Sequence, residues 1–569
     1  MATQNFQFAG FLQDNLKLNP KFTLNIGVRY EVSLPRTERF NRMNWLDPGL
    51  TYQLKADPTL LPGAPPMTVK GGEVFASPNN RYNYDTFYGA IQPRFGFAYE
   101  FRHGLVARGG YGIYYSQPRS GAAGTGPWGY QGFDQQTQWI PSFDNQTVLP
   151  GAHLNDPFPG TGPKLPPGSS LGALNDVGFS AVGPIPAVSH NVPYEQAWSF
   201  GLQKELPWKI VAEANYVGKK GTHLYLGGFR ENDLLPVSAL QGLTPAQIGT
   251  NLANNQVANP FFGYITDPLS PLSGATVPAY QTLLPYPQFT GFQGDSPPIA
   301  NSIYHAGQFR VSKSFSSGLQ FLVTYVVSKS IDGASATDDS ISWLGGGLQG
   351  NTIAVQDPNN LRAERAVSTF DIPQVLQFSY VYALPVGRGR HFGSDMNPIL
   401  NGFIGGWQLN GIWRFAKGRP IILELASPVP IPTYGQRPSI SGPLKVDHSS
   451  TTAMITDYFA NACENAPCAN GGPSVVFQPD DYSFGNAPRT ITNVRQPGNK
   501  NVNMSIFKQF PMSRLRENMR LEFRFEAFNV FNHPNFAGPD TIFGDGTFGQ
   551  ITFLATPTRE VQLGLKLYF

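Results

Sequence analysis

The last ten residues, Glu560 to Phe569 (EVQLGLKLYF), alternate apolar and polar without interruption. Val561, Leu563, Leu565, Leu567 and Phe569 fall on one side of an extended strand, and Gln562, Gly564, Lys566 and Tyr568 on the other. The same period of two recurs upstream, in pairs. Phe22 to Val32 sets Phe22, Leu24, Ile26, Val28, Tyr30 and Val32 against Thr23, Asn25, Gly27, Arg29 and Glu31, and follows a strand over Phe6 to Leu18 across Asn19-Pro20-Lys21. Further pairs are expected at Arg94 to Phe101 with Leu105 to Tyr115, Trp198 to Leu206 with Ile210 to Tyr216, and Gly307 to Phe315 with Leu319 to Val327. Leu376 to Leu384 and Trp407 to Phe415 have a longer connection, and Val502 to Phe510 meets Met519 to Phe525 across Pro511 to Asn518. With the terminal strand this makes about thirteen strands.

Composition narrows what such strands can build. Charged residues are 14% of the 569, against about a quarter in ordinary soluble domains, while Gly (61) and Pro (51) together outnumber all Asp, Glu, Lys and Arg. The 42 Phe, 24 Tyr and 8 Trp supply more burial than a disordered chain carries, so the chain is expected to fold. A net charge of +3, without Lys/Arg runs, gives no case for nucleic acid as a partner. No apolar run reaches the length of a spanning helix, so a membrane reading requires strands. A mean hydropathy of -0.23 is compatible with that, since only half the residues of a barrel strand face lipid.

The connections alternate short and long, the long ones running roughly over 33–87, 117–193, 224–303, 331–372, 420–500 and 530–558. Long structureless loops are rare in compact soluble domains, whereas transmembrane barrels have short periplasmic turns and long extracellular loops. The faces differ accordingly. In Met519 to Glu526, Met519, Leu521, Phe523 and Phe525 alternate with Arg520, Glu522, Arg524 and Glu526, which would line a polar interior. One such strand equally suits a soluble sandwich; its repetition along the chain favours the barrel. Tyr30, Phe101, Tyr115, Tyr216, Phe315 and Phe569 near strand ends suit interfacial aromatic girdles.

The runs GNAPRTITNVRQPGNKNVNMSIFKQFPM (Gly485 to Met512), LEFRFEAFNVFNHPNF (Leu521 to Phe536), FGQIT (Phe548 to Thr552) and REVQLGLKLYF (Arg559 to Phe569) resemble the end of a TonB-dependent outer-membrane transporter, most closely the Oar-like, carboxypeptidase-regulatory-like group. FLQDNLKLNPKFTLNIGVRYEV (Phe11 to Val32) resembles a mid-barrel hairpin of the same group. The resemblance implies an all-β fold: an antiparallel transmembrane barrel portion of about 13 to 14 meandering strands, from a barrel of about 22 around a plug. Residues 1–569 would then be the C-terminal barrel part. The plug and the TonB box are expected to be absent, and Met1 to Phe11 has none of the pattern of a signal peptide. The implied location is the bacterial outer membrane, and the implied activity is import of a glycan, siderophore or peptide. Lipid and the barrel assembly machinery, which reads the terminal aromatic strand, are the implied partners, with TonB engaged only through the plug region.

Little else in the sequence points to chemistry. Cys463 and Cys468 (CENAPC) lie in a long polar loop, where a structural disulfide is expected ahead of free thiols or a metal site. Asp332 with Asp338-Asp339 lacks the spacing of a calcium loop and reads as solvated loop. Gly109, Gly110 and Gly112 lie on a strand and read as packing glycines, and His533-Pro534-Asn535 reads as a turn. No catalytic, cofactor or metal residue is nominated, and no enzyme activity is expected. Loop aromatics such as Trp45, Trp128, Tyr130, Trp139 and Trp343 could stack on sugar rings or pack loops together. Two rival readings remain: a self-contained passive channel of about 14 strands, in which the Phe569 strand closes onto the strand at Phe6, and a secreted soluble β protein that binds carbohydrate. Closure of the sheet separates the first from the importer, and equal four-stranded blades would mark the second.

Overall fold

The computed structural model describes residues 3–82, 84–102, 104–116, 131–133, 155–158, 162–163, 165–186, 191–226, 229–231, 233–295, 297–333, 335, 355–357, 359–426, 436–480, 483–512, 516–517 and 519–569. Thirteen strands follow one another in a single antiparallel meander, and a fourteenth, the short Ala366–Val367, pairs off to one side. They are β1 (Gln7–Asn19), β2 (Phe22–Ser33), β3 (Ile91–Glu100), β4 (Leu105–Tyr115), β5 (Tyr194–Leu206), β6 (Ile210–Leu224) and β7 (Ala300–Ser316). The series continues with β8 (Leu319–Asp332), β9 (Gln374–Ala383), β10 (Trp407–Ala416), β11 (Asn499–Pro511), β12 (Arg520–Phe528) and β13 (Glu560–Tyr568). Each of the thirteen coincides with a strand expected from period two. Among the described residues, β1 pairs only with β2 and β13 only with β12, so the sheet has two open edges.

The register carries one face through every strand. Leu24 of β2 lies opposite Phe97 of β3, Phe97 opposite Gly109 of β4, and Gly109 opposite Phe200 of β5. At the other end of the sheet Phe378, Trp413 and Val502 line up across β9, β10 and β11, and Phe523 faces Leu565 across β12 and β13. This face is apolar and open, with Leu563 70% and Leu565 72% exposed on the edge strand. The opposite face carries the polar half of the alternation. Its ion pairs, Arg29–Glu31, Lys219–Glu195, Arg310–Glu213 and Arg524–Glu522, all project from the same side. A largely apolar face, interrupted by Asp14 of β1 and Lys508 of β11, with the ion pairs on the opposite side, matches lipid on one side and water on the other.

Strand lengths depart from the sequence reading in one direction. β5 to β8 run 13, 15, 17 and 14 residues, extending beyond Trp198, Tyr216, Gly307 and Val327 toward the long loops. A tilted strand crosses a bilayer in about 9 to 11 residues, so these ladders continue past the apolar band. There the alternation that marked them in the sequence is no longer required. At that boundary Trp198 Nε1 donates to the Tyr216 hydroxyl, which sits 2.8 Å from His305 Nδ1, an aromatic cluster on the apolar face at the depth of a girdle.

The long connections are also not structureless, contrary to the sequence reading. The first contains the hairpin Asn44–Leu54 with Met67–Phe75, and the loops hold buried clusters of their own. The largest joins Ile421, Leu423, Tyr458, Phe459, Val476 and Ile491 of the β10–β11 connection with Phe548 of the β12–β13 connection. Their hydrophobics are scattered between turns, so no periodic pattern advertised them.

Because Phe309 stands mid-strand on the apolar face between Ala214 and Tyr325, Phe309→Arg is expected to cost about 2 to 4 kcal/mol. Gln308→Arg, on the polar face, should leave stability near that of the parent. The check is the denaturant midpoint of the complete barrel carrying each variant, folded into lipid vesicles.

Candidate substrate surface of the inner wall and outer loops

On the polar face of β1 to β5 the side chains thin out into a groove of about 520 Å³, bordered by Gln13, Asn25, Arg94, Tyr114 and Ser199. Gly96 and Gly110 lie opposite each other on its floor. The Tyr114 hydroxyl lies over Gly112, where a Cβ would come within 2.8 Å of it, and the Arg94 guanidinium sits 4.9 Å from the Tyr114 ring centre. Gly109 faces the other way, its missing Cβ making room for the Phe97 ring. The packing read for these glycines from the sequence therefore divides: Gly109 packs on the apolar face, while Gly110 and Gly112 shape the inner wall. A cation, an aromatic ring and amide side chains around a shallow floor suit a polar, hydrogen-bonding ligand or a polypeptide surface.

The outer loops are fastened to the wall by three arginines. Arg489, fully buried, donates from Nε to the Glu364 carbonyl at 2.7 Å, from Nη1 to Ser335 Oγ at 2.6 Å, and from Nη2 to the carbonyl and carboxylate of Asp332 at the top of β8. Arg437 forms a two-pronged pair with the Glu364 carboxylate at 2.9 and 3.1 Å and donates to the Ala487 carbonyl. Arg495 holds Asp371 at 2.8 Å, and Asp371 in turn accepts from the Ser330 amide. The planar guanidinium suits this work, since its five donors can satisfy carboxylate and carbonyl partners together. Sequence reasoning missed these residues. Arg489 and Arg495 stand in the stretch that carries the family resemblance (Gly485 to Met512), but nothing local pairs them with acids more than a hundred residues away.

A second polar core lies in the first outer loop. The Glu73 carboxylate accepts from Asn44 Nδ2 at 2.6 Å and Asn175 Nδ2 at 2.9 Å. Burial, reinforced by the nearby Asp176 carboxylate, pushes the Glu73 carboxyl up to about 9, so it is held as the neutral acid.

Other sequence candidates fall out as follows. Cys463 and Cys468 are joined by a disulfide with Cα atoms 5.4 Å apart. Asp332 is not solvated loop but the acceptor of Arg489, and Asp338 and Asp339 lie outside the described residues. Trp45 is buried beside Met43 and Ala76, 5% exposed, so it packs the loop and offers no ring to a sugar. Trp128, Tyr130, Trp139 and Trp343 lie outside the described residues. The FNHPNF stretch is a turn tied by asparagines: Asn529 Oδ1 accepts from the His533 amide, and Asn535 Oδ1 from that of Lys500. Among the described residues no group of three or more His, Cys, Asp or Glu is placed to hold a metal ion. Val561, Leu563, Leu565, Leu567 and Phe569 of the terminal segment are exposed together on the apolar side.

A long antiparallel meander with an apolar outer band, a charged inner face and deep loops at one end defines a strand-built protein of the bacterial outer membrane. The family model for the outer membrane beta barrel domain matches residues 1–562, and the chain belongs to that family. No curated protein matches it in sequence. Among solved structures it is similar to the outer membrane transporter YddB from Escherichia coli, at 8% identity over 100% of this chain and 54% of that one, TM-score 0.38. It is also similar to the ferripyoverdine receptor of Pseudomonas aeruginosa (9%, 99% and 38%, TM-score 0.36). A third is the ferric-catecholate import receptor Fiu from Escherichia coli K12 (9%, 99% and 43%, TM-score 0.36). The chain spans between 38 and 54% of the length of these three.

Two outcomes follow from the loop layer. Removing one partner of a buried ion pair costs about 3 to 5 kcal/mol, so Arg489→Ala should expose the connection between Asp332 and Ala366 to protease on intact cells while the membrane-embedded fragments stay protected. For Glu73 the folded form keeps a proton that the unfolded chain releases in the ordinary carboxylate range. The stabilisation is therefore complete below that range and is lost as pH rises toward about 9. Hydrogen exchange in the Asn44–Leu54 hairpin should accelerate over that interval, and Glu73→Gln should flatten the dependence.

Proposed function

We propose that this chain forms part of the wall and the outer loops of a TonB-dependent importer of the Oar-like group. The supporting observation is the pair of open edges. In hydrocarbon each unpaired backbone group costs several kcal/mol, so spanning strands must belong to a closed barrel. Thirteen strands whose first and last members each have one partner among the described residues call for further strands between them, which in a transporter of the resembled group would belong, with the plug, to the rest of a barrel of about 22 strands. TonB would act through that plug region. The polar inner wall, including the groove at Arg94 and Tyr114, and the latched outer loops would form the path and the outer receptor surface for a glycan, siderophore or peptide, without catalysis. The terminal strand with Phe569 would be the element that the assembly machinery reads.

A self-contained passive channel requires β13 to meet β1, and among the described residues the two do not pair. A soluble carbohydrate-binding protein would have to leave the whole apolar band in water.

Residues 1–569 expressed alone with a secretion signal should give no heat-modifiable monomer in the outer membrane and no steady conductance in planar bilayers. A compact monomer conducting steadily would overturn the reading in favour of the passive channel. For the complete barrel, uptake of the cognate substrate should vanish in cells lacking TonB.

A further inference from the structure

The connection between β9 and β10 is the long one at the short-turn end, and it folds back onto the apolar outside of the wall. Its helix, Pro398–Ile404, starts at Asn397, whose side chain accepts from the Leu400 amide. The helix ends over Lys508 and Trp407. Lys508 stands opposite Trp407 and Phe523 on the apolar face, yet it is buried, donating to the Gly405 carbonyl at 2.7 Å. The Trp407 indole donates to the Phe403 carbonyl at 2.8 Å. The lysine that the register would otherwise aim into hydrocarbon is thus spent on the helix's free carbonyls.

The rest of the helix is arranged for a different neighbour. Asn401 faces the connection, where its Oδ1 accepts from the Arg388 amide. Ile399 and Phe403, four apart, are 77% and 74% exposed, and Leu400 and Ile404 beside them are exposed as well. Phe392 is exposed in the same connection, as are Arg388 and Arg390. The Phe510 ring of β11 lies 5.2 Å from Lys508 Nζ, and Phe510 shares a row of the exposed apolar face with Leu567 of β13. We propose that the 385–405 connection is an interfacial anchor: the helix beds Ile399 and Phe403 among the acyl chains of the periplasmic leaflet, and Arg388 and Arg390 engage anionic phospholipid headgroups. An apolar helix face flanked by cations at the depth of a membrane interface is the pattern of such anchors. The proposal rests on residence in the outer membrane and not on import.

The test uses the complete barrel that contains this chain, folded into vesicles of phosphatidylglycerol or phosphatidylcholine that carry a phospholipid with a diazirine in its acyl chain. Mass spectrometry then locates the photo-adducts on membrane-embedded protein, recognised by adducts at Leu565. Adducts on Ile399 and Phe403 are expected, several-fold more abundant with phosphatidylglycerol. Arg388→Gln/Arg390→Gln should remove that headgroup preference and leave the Leu565 adducts unchanged. Adducts at Leu565 with none between Ile399 and Ile404 would overturn the anchor, as would capture of this helix by a periplasmic protein in place of lipid. Equal labelling in both lipids would overturn the role of the two arginines.

Discussion

Everything in this molecule depends on the rule that a backbone amide cannot enter hydrocarbon unpaired. The rule turns a run of alternating residues into a ladder of neighbours and sets the sequence of strands as a meander, since short turns bring each strand beside the last. It also fixes the two faces, because once the register is set every second side chain must meet lipid. Among the described residues, thirteen strands satisfy one another in this way along both sides except at β1 and β13. Those edges are the strongest structural statement the chain makes about its surroundings, since an exposed apolar edge strand is otherwise a site of uncontrolled pairing.

A second constraint acts above the membrane. Loops of this length would lose much conformational entropy on ordering, and they are ordered here by small cores and by arginines whose charges are buried with their partners. Desolvation makes such pairs weak sources of net stability but strong sources of specificity, because an incorrect arrangement would strand a charge. Arg489, Arg437 and Arg495 therefore act as a latch that ties the stretch 436–495 to the tops of β8 and β9. Whatever surface the loops offer a ligand is held by that latch, while the groove on the inner wall is held by the ladder itself. Lys508 shows the same economy at the opposite end, where a cation on the apolar face donates to the Gly405 carbonyl at a helix terminus.

The strands were legible because the physics that makes them is local and periodic. β2, β12 and β13 could be read residue by residue, and the segregation of Arg520, Glu522, Arg524 and Glu526 to the inside followed from the same count. The extended tops of β5 to β8 escaped, since beyond the lipid the pattern relaxes while the hydrogen bonds continue. Trp45 was misjudged for a related reason: an aromatic in a loop carries no mark in sequence of whether the loop folds over it. The family-like stretch from Gly485 drew notice as a motif, but its role as a latch required seeing Asp332, Glu364 and Asp371 brought to it.

By itself, then, the sequence determined the number, the pairing and the sidedness of the strands, because period two and short turns specify neighbours one at a time. The resemblance had already implied a barrel portion with open edges, as found among the described residues; the tertiary structure alone decided which loops carry cores, where the buried charges meet, and that a helix lies against the outer wall beside Lys508. Those features arise from residues far apart in the chain that meet only when the strands pair and the connections fold against them, and no local pattern encodes a meeting of that kind.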